Sequence, residues 1–207
     1  MIDKLQFISS ESSGITHIDS IQNALEAGCR WIQLRIKNQP AEVVLQIAYE
    51  AQNLCKRYQA KLIINDYASV AKAVNAYGLH LGLSDMPIPA ARKITGSNTI
   101  IGGTANTLDD ILNRIKEGAD YVGLGPFRFT PTKQNLSPVL GLEGYKSQME
   151  MLRQLGYAVP VIAIGGITAE DIPEILETGI YGVAMSGAIQ LAENKKDLIS
   201  TINNLLC

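Results

Sequence analysis

The chain has 207 residues, 46% hydrophobic and 18% charged, with a formal net charge of −2. That balance offers nucleic acid no general attraction, and no apolar run approaches the ~20 residues that span a bilayer. The start, MIDKLQFISSESSG, lacks a basic-then-apolar export pattern, and Cys29, Cys55 and Cys207 share no metal-ligand spacing, so a reduced, cytoplasmic protein is expected.

Short apolar runs alternate with helical patterns from end to end. LQFIS (5–9) reads as a strand, followed by a helix at about 17–27. Thr16 with Asp19 three residues on makes its N-cap, and Gly28 its stop. WIQLR (31–35) is the second strand, and the next helix begins at Pro40. KLIIN (61–65) precedes a helix over 67–76, and GLHLG (78–82) a short one from Pro87 or Pro89. NTIIG (98–102) leads to a helix capped by Thr107, and ADYVGLG (119–125) to one over 143–155. VPVIAIG (159–165) precedes a helix capped by Thr168 that stops at Gly179, and YGVAMS (181–186) a last helix ending near Leu206.

Eight strand–helix units with no linker or composition break favour a parallel sheet, because each crossover helix returns the chain to the same end. Eight is the count of a closed (β/α)8 TIM barrel, expected here as a single α/β domain over residues 1–207. A doubly wound open sheet is the other arrangement with this alternation. Exposed barrel helices would allow a homodimer.

In a barrel, chemistry sits where strands end. Strand two ends in Gln33, Arg35 and Lys37 at alternate positions, which places three polar groups on one face; the competing reading sends Arg35 and Lys37 to solvent at the rim. Strands three and four are followed by Asp66, beside Asn65, and by Asp85. Each aspartate could simply cap the next helix, whereas two carboxylates beside cations suit Mg²⁺. Strand five ends in Gly102-Gly103-Thr104, and strand six runs into a loop carrying Thr130, Thr132 and Lys133, hydroxyls and a cation suited to an anion. Gly165-Gly166 and Ser186-Gly187 follow strands seven and eight, where barrels often bind phosphate, although tight βα turns need glycine anyway. His17, in the first helix turn, is expected at the surface, and His80 is expected as a satisfied interior histidine.

The stretches QLRIK (33–37), IIND (63–66), GLHLGLSDMP (78–87), IIGGTANT (100–107), ADYVGLGPFRFTPTK (119–133), GLEGY (141–145) and AIGGI (163–167) resemble the thiamine phosphate synthase family, over nearly the whole chain. The resemblance implies a transferase that joins an aminopyrimidine methyl diphosphate to a thiazole phosphate, releasing diphosphate. It implies that Gln33 bonds the aminopyrimidine, that Arg35, Lys37, Asn65 and Lys133 hold the diphosphate, and that Asp66 and Asp85 ligate Mg²⁺. Thr104, Thr130 and Thr132 would lie between the two substrates, and Gly165, Gly166, Ser186 and Gly187 would receive the thiazole phosphate. Arg35, Lys37 and Lys133 would serve catalysis as charges on the leaving group.

Four positions depart from the family pattern. Ile36 replaces an acid but faces away from its neighbours, and Thr104 keeps the hydroxyl of a common serine. Leu83-Ser84 replaces Gln-Glu before Asp85, which bears on the metal's surroundings. Ser186-Gly187 replaces an aliphatic-serine pair, which displaces a hydroxyl from the thiazole phosphate. Two rival activities share the barrel. Thiazole tautomerases need no diphosphate cations and use a histidine after strand five, where this chain has Asn106. The other rival is a phosphate-ligand binder without turnover.

Overall fold

A computed structural model of the chain describes residues 2–12, 14–129 and 137–207. Strands β1 (Leu5–Ile8), β2 (Trp31–Leu34), β3 (Lys61–Asn65), β4 (Gly78–Leu81), β5 (Ile100–Ala105), β6 (Tyr121–Leu124), β7 (Val161–Ile164) and β8 (Gly182–Met185) follow one another around a closed barrel. Every pairing is parallel, and closure brings Leu5, Gln6 and Phe7 beside Val183, Ala184 and Met185. The open-sheet alternative is therefore excluded.

The helices are α1 (His17–Glu26), α2 (Ala41–Arg57), α3 (Ala68–Ala73), α4 (Ile88–Thr95), α5 (Leu108–Lys116), α6 (Gly141–Gln154), α7 (Ile172–Glu177), α8 (Gly187–Gln190) and α9 (Lys195–Leu205). Thr16 with Asp19 forms a reciprocal capping box, as their spacing predicts, and Thr107, expected as a cap, forms one with Asp110. Thr168 does the same with Asp171, but for a 3₁₀ turn, Ala169–Asp171, that leads into α7. The single helix expected after β8 is two: α8 is one turn, and Asn194 caps α9 by accepting from the Asp197 N–H.

Alternation along the strands sorts the core into two parts. Residues such as Phe7, Ile32, Leu34, Ile64 and Leu79 pack outward under the helices. Ile8, Trp31, Ile63, Tyr121, Ile162 and Ala184 fill the interior. Burial pushes the thiols of Cys29 and Cys55 up to about 12, so neither is available as a thiolate.

The glycine pair of β5 has a packing cause on each side of the sheet. A Cβ on Gly102 would sit 2.1 Å from the Tyr121 ring inside the barrel. A Cβ on Gly103 would sit 2.5 Å from Cδ of Arg114, whose buried guanidinium donates to the Gly82 and Thr104 carbonyls. Gly102→Ala is therefore expected to destabilise the fold by about 1–3 kcal/mol through overpacking, measured by urea unfolding. A loss below about 0.5 kcal/mol would show that the Tyr121 ring can yield.

Candidate active site

Gln33, the last inward residue of β2, is 2% exposed and donates from Nε2 to Gln6 Oε1 at 3.0 Å. Arg35 lies just past the strand, its N–H held by Ser9 Oγ at 3.2 Å. Its guanidinium makes no ion pair or side-chain hydrogen bond among the described residues. Burial lowers its pKa, against a raising influence from Asp66. A half-buried arginine without a carboxylate partner is a group suited to an anion. It lines a cleft of about 470 Å³ together with Ser9, Ser10, Glu11, His17 and Lys37. Ile36 is 5% exposed and belongs to the outer core, so the loss of an acid there leaves the mouth unaltered.

His17 corrects an expectation. It is 8% exposed rather than at the surface, and its Nδ1 bonds Ser9 Oγ at 2.9 Å. The first turn of α1 folds down against the end of β1, and burial lowers the His17 pKa.

Asp66 follows β3 in the left-handed region, at φ 66°, a conformation that aspartate tolerates better than most residues. Its Oδ2 accepts from Lys37 Nζ at 2.5 Å, while its buried Oδ1 receives no hydrogen bond from the described residues. Next to it, Asn65 is 4% exposed with a buried Nδ2 that has no acceptor among the described residues. Asp85 comes within hydrogen-bonding reach of Asp66, and its Oδ2 accepts the Gly82 N–H at 2.6 Å.

Helix capping does not account for these carboxylates. The residues at the caps of α3 and α4 are Tyr67 and Pro87, and neither helix has a side-chain cap bond. Burial and the neighbouring Asp85 push the Asp66 pKa up to about 6, against the pull of Lys37. Burial would raise Asp85 too, but hydrogen bonds from Asp66 and the Gly82 N–H, with the charge of Lys37, hold it below the usual range. Taken alone, an acid with a folded pKa near 6 and an ordinary value of 3.8 costs stability as pH rises through that interval, because the folded state binds more protons there.

An orphaned carboxylate oxygen beside a second carboxylate fits a hard cation. Among the described residues no group of three or more His, Cys, Asp or Glu could hold a metal. Two carboxylates completed by substrate phosphate and water are the arrangement Mg²⁺ favours.

Around the rest of the rim, half-buried Thr104 contacts His80 Nε2 through Oγ1 at 3.0 Å. Thr130, Thr132 and Lys133 lie outside the described residues. Their flanks are held firmly: buried Asn106 donates from Nδ2 to the Gly125 and Pro138 carbonyls, each at 2.9 Å. The Leu140 and Gly141 N–H groups also bond the Pro126 and Phe127 carbonyls. Asn106 thus ties Gly125 to Pro138, with its amide donors committed.

Gly165 and Gly166 both have positive φ, 102° and 69°, and both are crowded by the segment after β6. A Cβ on Gly166 would meet Arg128 Cγ at 2.4 Å. Arg128 itself pairs bidentately with Asp171, at 2.7 Å for both bonds, and donates to the Gly166 carbonyl. Ser186 Oγ donates to Ser10 Oγ at 3.1 Å, so its hydroxyl is engaged with the loop after β1.

Two features escaped sequence reasoning. One is the Arg128–Asp171 tie, hidden because Arg128 stands in an irregular loop. The other is the pairing of Gln33 with Gln6 and of Tyr121 with His80; His80 itself is the satisfied interior histidine expected from the sequence.

Fold and rim together define a closed (β/α)8 barrel whose C-terminal mouth combines an arginine without an ion pair among the described residues, a lysine, two adjacent carboxylates and glycine-rich turns, a set suited to a phosphorylated small molecule. The family model for thiamine monophosphate synthase matches residues 5–189, and the chain belongs to that family. It is 50% identical over 202 residues to a thiamine-phosphate synthase of Phocaeicola vulgatus, covering 98% of this chain and 97% of the relative. With the Flavobacterium johnsoniae thiamine-phosphate synthase, identity is 50% over 206 residues, covering 100% and 97%. The solved structure of a thiamine phosphate pyrophosphorylase from Pyrococcus furiosus superimposes with a TM-score of 0.83 at 34% identity, covering 98% of this chain and 95% of that one.

Proposed function

We propose that the chain is a thiamine-phosphate synthase acting on an aminopyrimidine methyl diphosphate and a thiazole phosphate, with residues 1–207 forming one barrel domain. The observation that carries the reading is a pair of buried atoms on adjacent residues that have no partner among the described residues, the donor Asn65 Nδ2 and the acceptor Asp66 Oδ1. A phosphate oxygen satisfies the first and a cation the second, so a metal–diphosphate completes both.

In this reading Gln33 orients the pyrimidine, while Arg35, Lys37, Asn65 and Lys133 hold the diphosphate. Asp66 and Asp85 hold Mg²⁺, which when bound supplies positive charge to the leaving diphosphate. The C–O bond breaks with its electron pair leaving on diphosphate, and the aminopyrimidine delocalises the positive charge left on its methylene carbon. The thiazole nitrogen then forms the new C–N bond. Thr104, Thr130 and Thr132 line the space between the substrates, and Gly165, Gly166, Ser186 and Gly187 close the side that receives the thiazole phosphate. No protein nucleophile is needed, and catalysis rests on charge stabilisation and on holding two substrates together.

The test is incubation of the protein with both substrates and Mg²⁺, following thiamine phosphate and released diphosphate together. Binding of both substrates without product would leave the non-catalytic binder. A tautomerase is disfavoured by Asn106, whose side chain holds two carbonyls rather than facing a substrate proton. Arg35→Ala is expected to raise KM for the pyrimidine diphosphate by about 10- to 100-fold, the worth of a charged hydrogen bond. An unchanged KM would return Arg35 to a solvent role at the rim.

A further inference from the structure

Three successive carbonyls at the end of β7 are held by two residues of the segment after β6. The Phe127 N–H donates to the Ile164 carbonyl at 2.9 Å, and the Arg128 N–H to the Gly165 carbonyl at 3.0 Å. The third carbonyl, on Gly166, accepts from Arg128 Nη1 at 2.9 Å, so a side chain rather than backbone holds it. The same guanidinium pairs with Asp171, Nη1 with Oδ2 and Nη2 with Oδ1, both at 2.7 Å. Asp171 Oδ2 also accepts the Thr168 N–H at 2.7 Å. One carboxylate therefore closes the turn after β7 and anchors the arginine.

A trans peptide sets its N–H opposite its C=O. With the carbonyls of Ile164, Gly165 and Gly166 committed to residues 127 and 128, the N–H groups of Gly165, Gly166 and Ile167 point away from that segment. None of the three donates to a described residue. The other neighbour of β7 is β8, just past which stand Ser186 and Gly187. Positive φ at Gly165 and Gly166 is what lets three successive carbonyls fall on one side. Successive N–H groups left facing outward from such a turn form a concavity suited to an anion.

We propose that Arg128 is a positioning residue for the thiazole phosphate: anchored by Asp171, it fixes the Gly166 carbonyl and so aims the Ile167 N–H, beside those of Gly165 and Gly166, at the phosphate. This rests on the synthase reading for the identity of the ligand. Arg128 need not touch the phosphate, because its fork is filled by Asp171 and the Gly166 carbonyl. The two backbone bonds persist whatever side chain stands at position 128. The Gly166–Ile167 peptide has only the guanidinium to hold its carbonyl, and glycine gives it freedom to turn when that hold is lost.

The test is calorimetric binding of the thiazole phosphate, alone and with Mg²⁺ and inorganic diphosphate, to the wild type, Arg128→Ala and Arg128→Lys. Arg128→Ala is expected to bind it about tenfold more weakly, the worth of one hydrogen bond to a charged group. Arg128→Lys keeps a charge for Asp171 but not the fork that also reaches Gly166, and should fall between the other two. Affinity for Mg²⁺ and diphosphate without the thiazole should be the same in all three, which a generally loosened barrel would not allow. Unchanged thiazole phosphate affinity in folded Arg128→Ala overturns the proposal. So does an equal loss of diphosphate affinity, or a wild type that binds no thiazole phosphate under either condition. The readout needs no turnover, so a wild type that binds both ligands yet makes no thiamine phosphate would sink the synthase reading separately.

Discussion

Asp66→Asn and Asp85→Asn are each expected to shift the Mg²⁺ dependence of turnover to concentrations at least about tenfold higher, and chelator should abolish wild-type activity. Loss even of groups that only orient a ligand costs metal sites about 10- to 100-fold in affinity, and a direct ligand should cost no less. The substitution keeps size and one carbonyl oxygen. At position 85 that oxygen can still accept the Gly82 N–H, so the turn before α4 survives. At position 66 asparagine accepts the left-handed backbone about as readily as aspartate. Because neither helix is capped by these side chains, the variants should unfold at close to the wild-type urea midpoint. A stable protein with an unchanged Mg²⁺ titration would remove both residues from metal binding.

The second large effect belongs to Lys133. Diphosphate leaves with increasing negative charge, and a positioned ammonium on it is worth roughly 10²–10³-fold in kcat by analogy with the loss of a single transition-state donor. Lys133→Ala should lower kcat by that factor and raise KM for the pyrimidine diphosphate much less, since in the proposed reading Arg35, Lys37 and Asn65 remain to bind it. The hydrogen bonds on either side of residues 130–136 do not involve Lys133: Asn106 grips the Gly125 and Pro138 carbonyls, and the Leu140 and Gly141 amides grip the Pro126 and Phe127 carbonyls. Thermal unfolding should therefore stay at its wild-type midpoint. Near-wild-type kcat in a folded Lys133→Ala protein would take the lysine out of the mechanism.

The features legible along the chain are those whose partners lie a few residues apart. Thr16 with Asp19 was readable as a pair, and Thr107 and Thr168 as caps, because a capping box closes over three residues. Eight alternating units implied a closed parallel barrel, and strand ends pointed to Gln33, Asn65, Asp66, Asp85 and Thr104. Boundaries moved by up to three residues; β6, for one, starts at Tyr121 because the Ala119 N–H bonds back to Arg114.

Other features depended on closure of the barrel. The sequence could offer Asp66 and Asp85 only as two candidate caps; their mutual approach needs β3 and β4 side by side. Alternation placed Gln33, Arg35 and Lys37 on one face, yet β2 ends at Leu34, so the loop rather than the pleat directs the two cations. His17 looked exposed from its helical position and is buried, because α1 packs its first turn on Ser9. The hydrogen bonds from Gln33 to Gln6 and from Tyr121 through His80 to Thr104 draw on five strands far apart in sequence. Local spacing governs caps and strand alternation, whereas hydrogen bonds across the interior exist only once closure brings those strands within about 3 Å reach of one another.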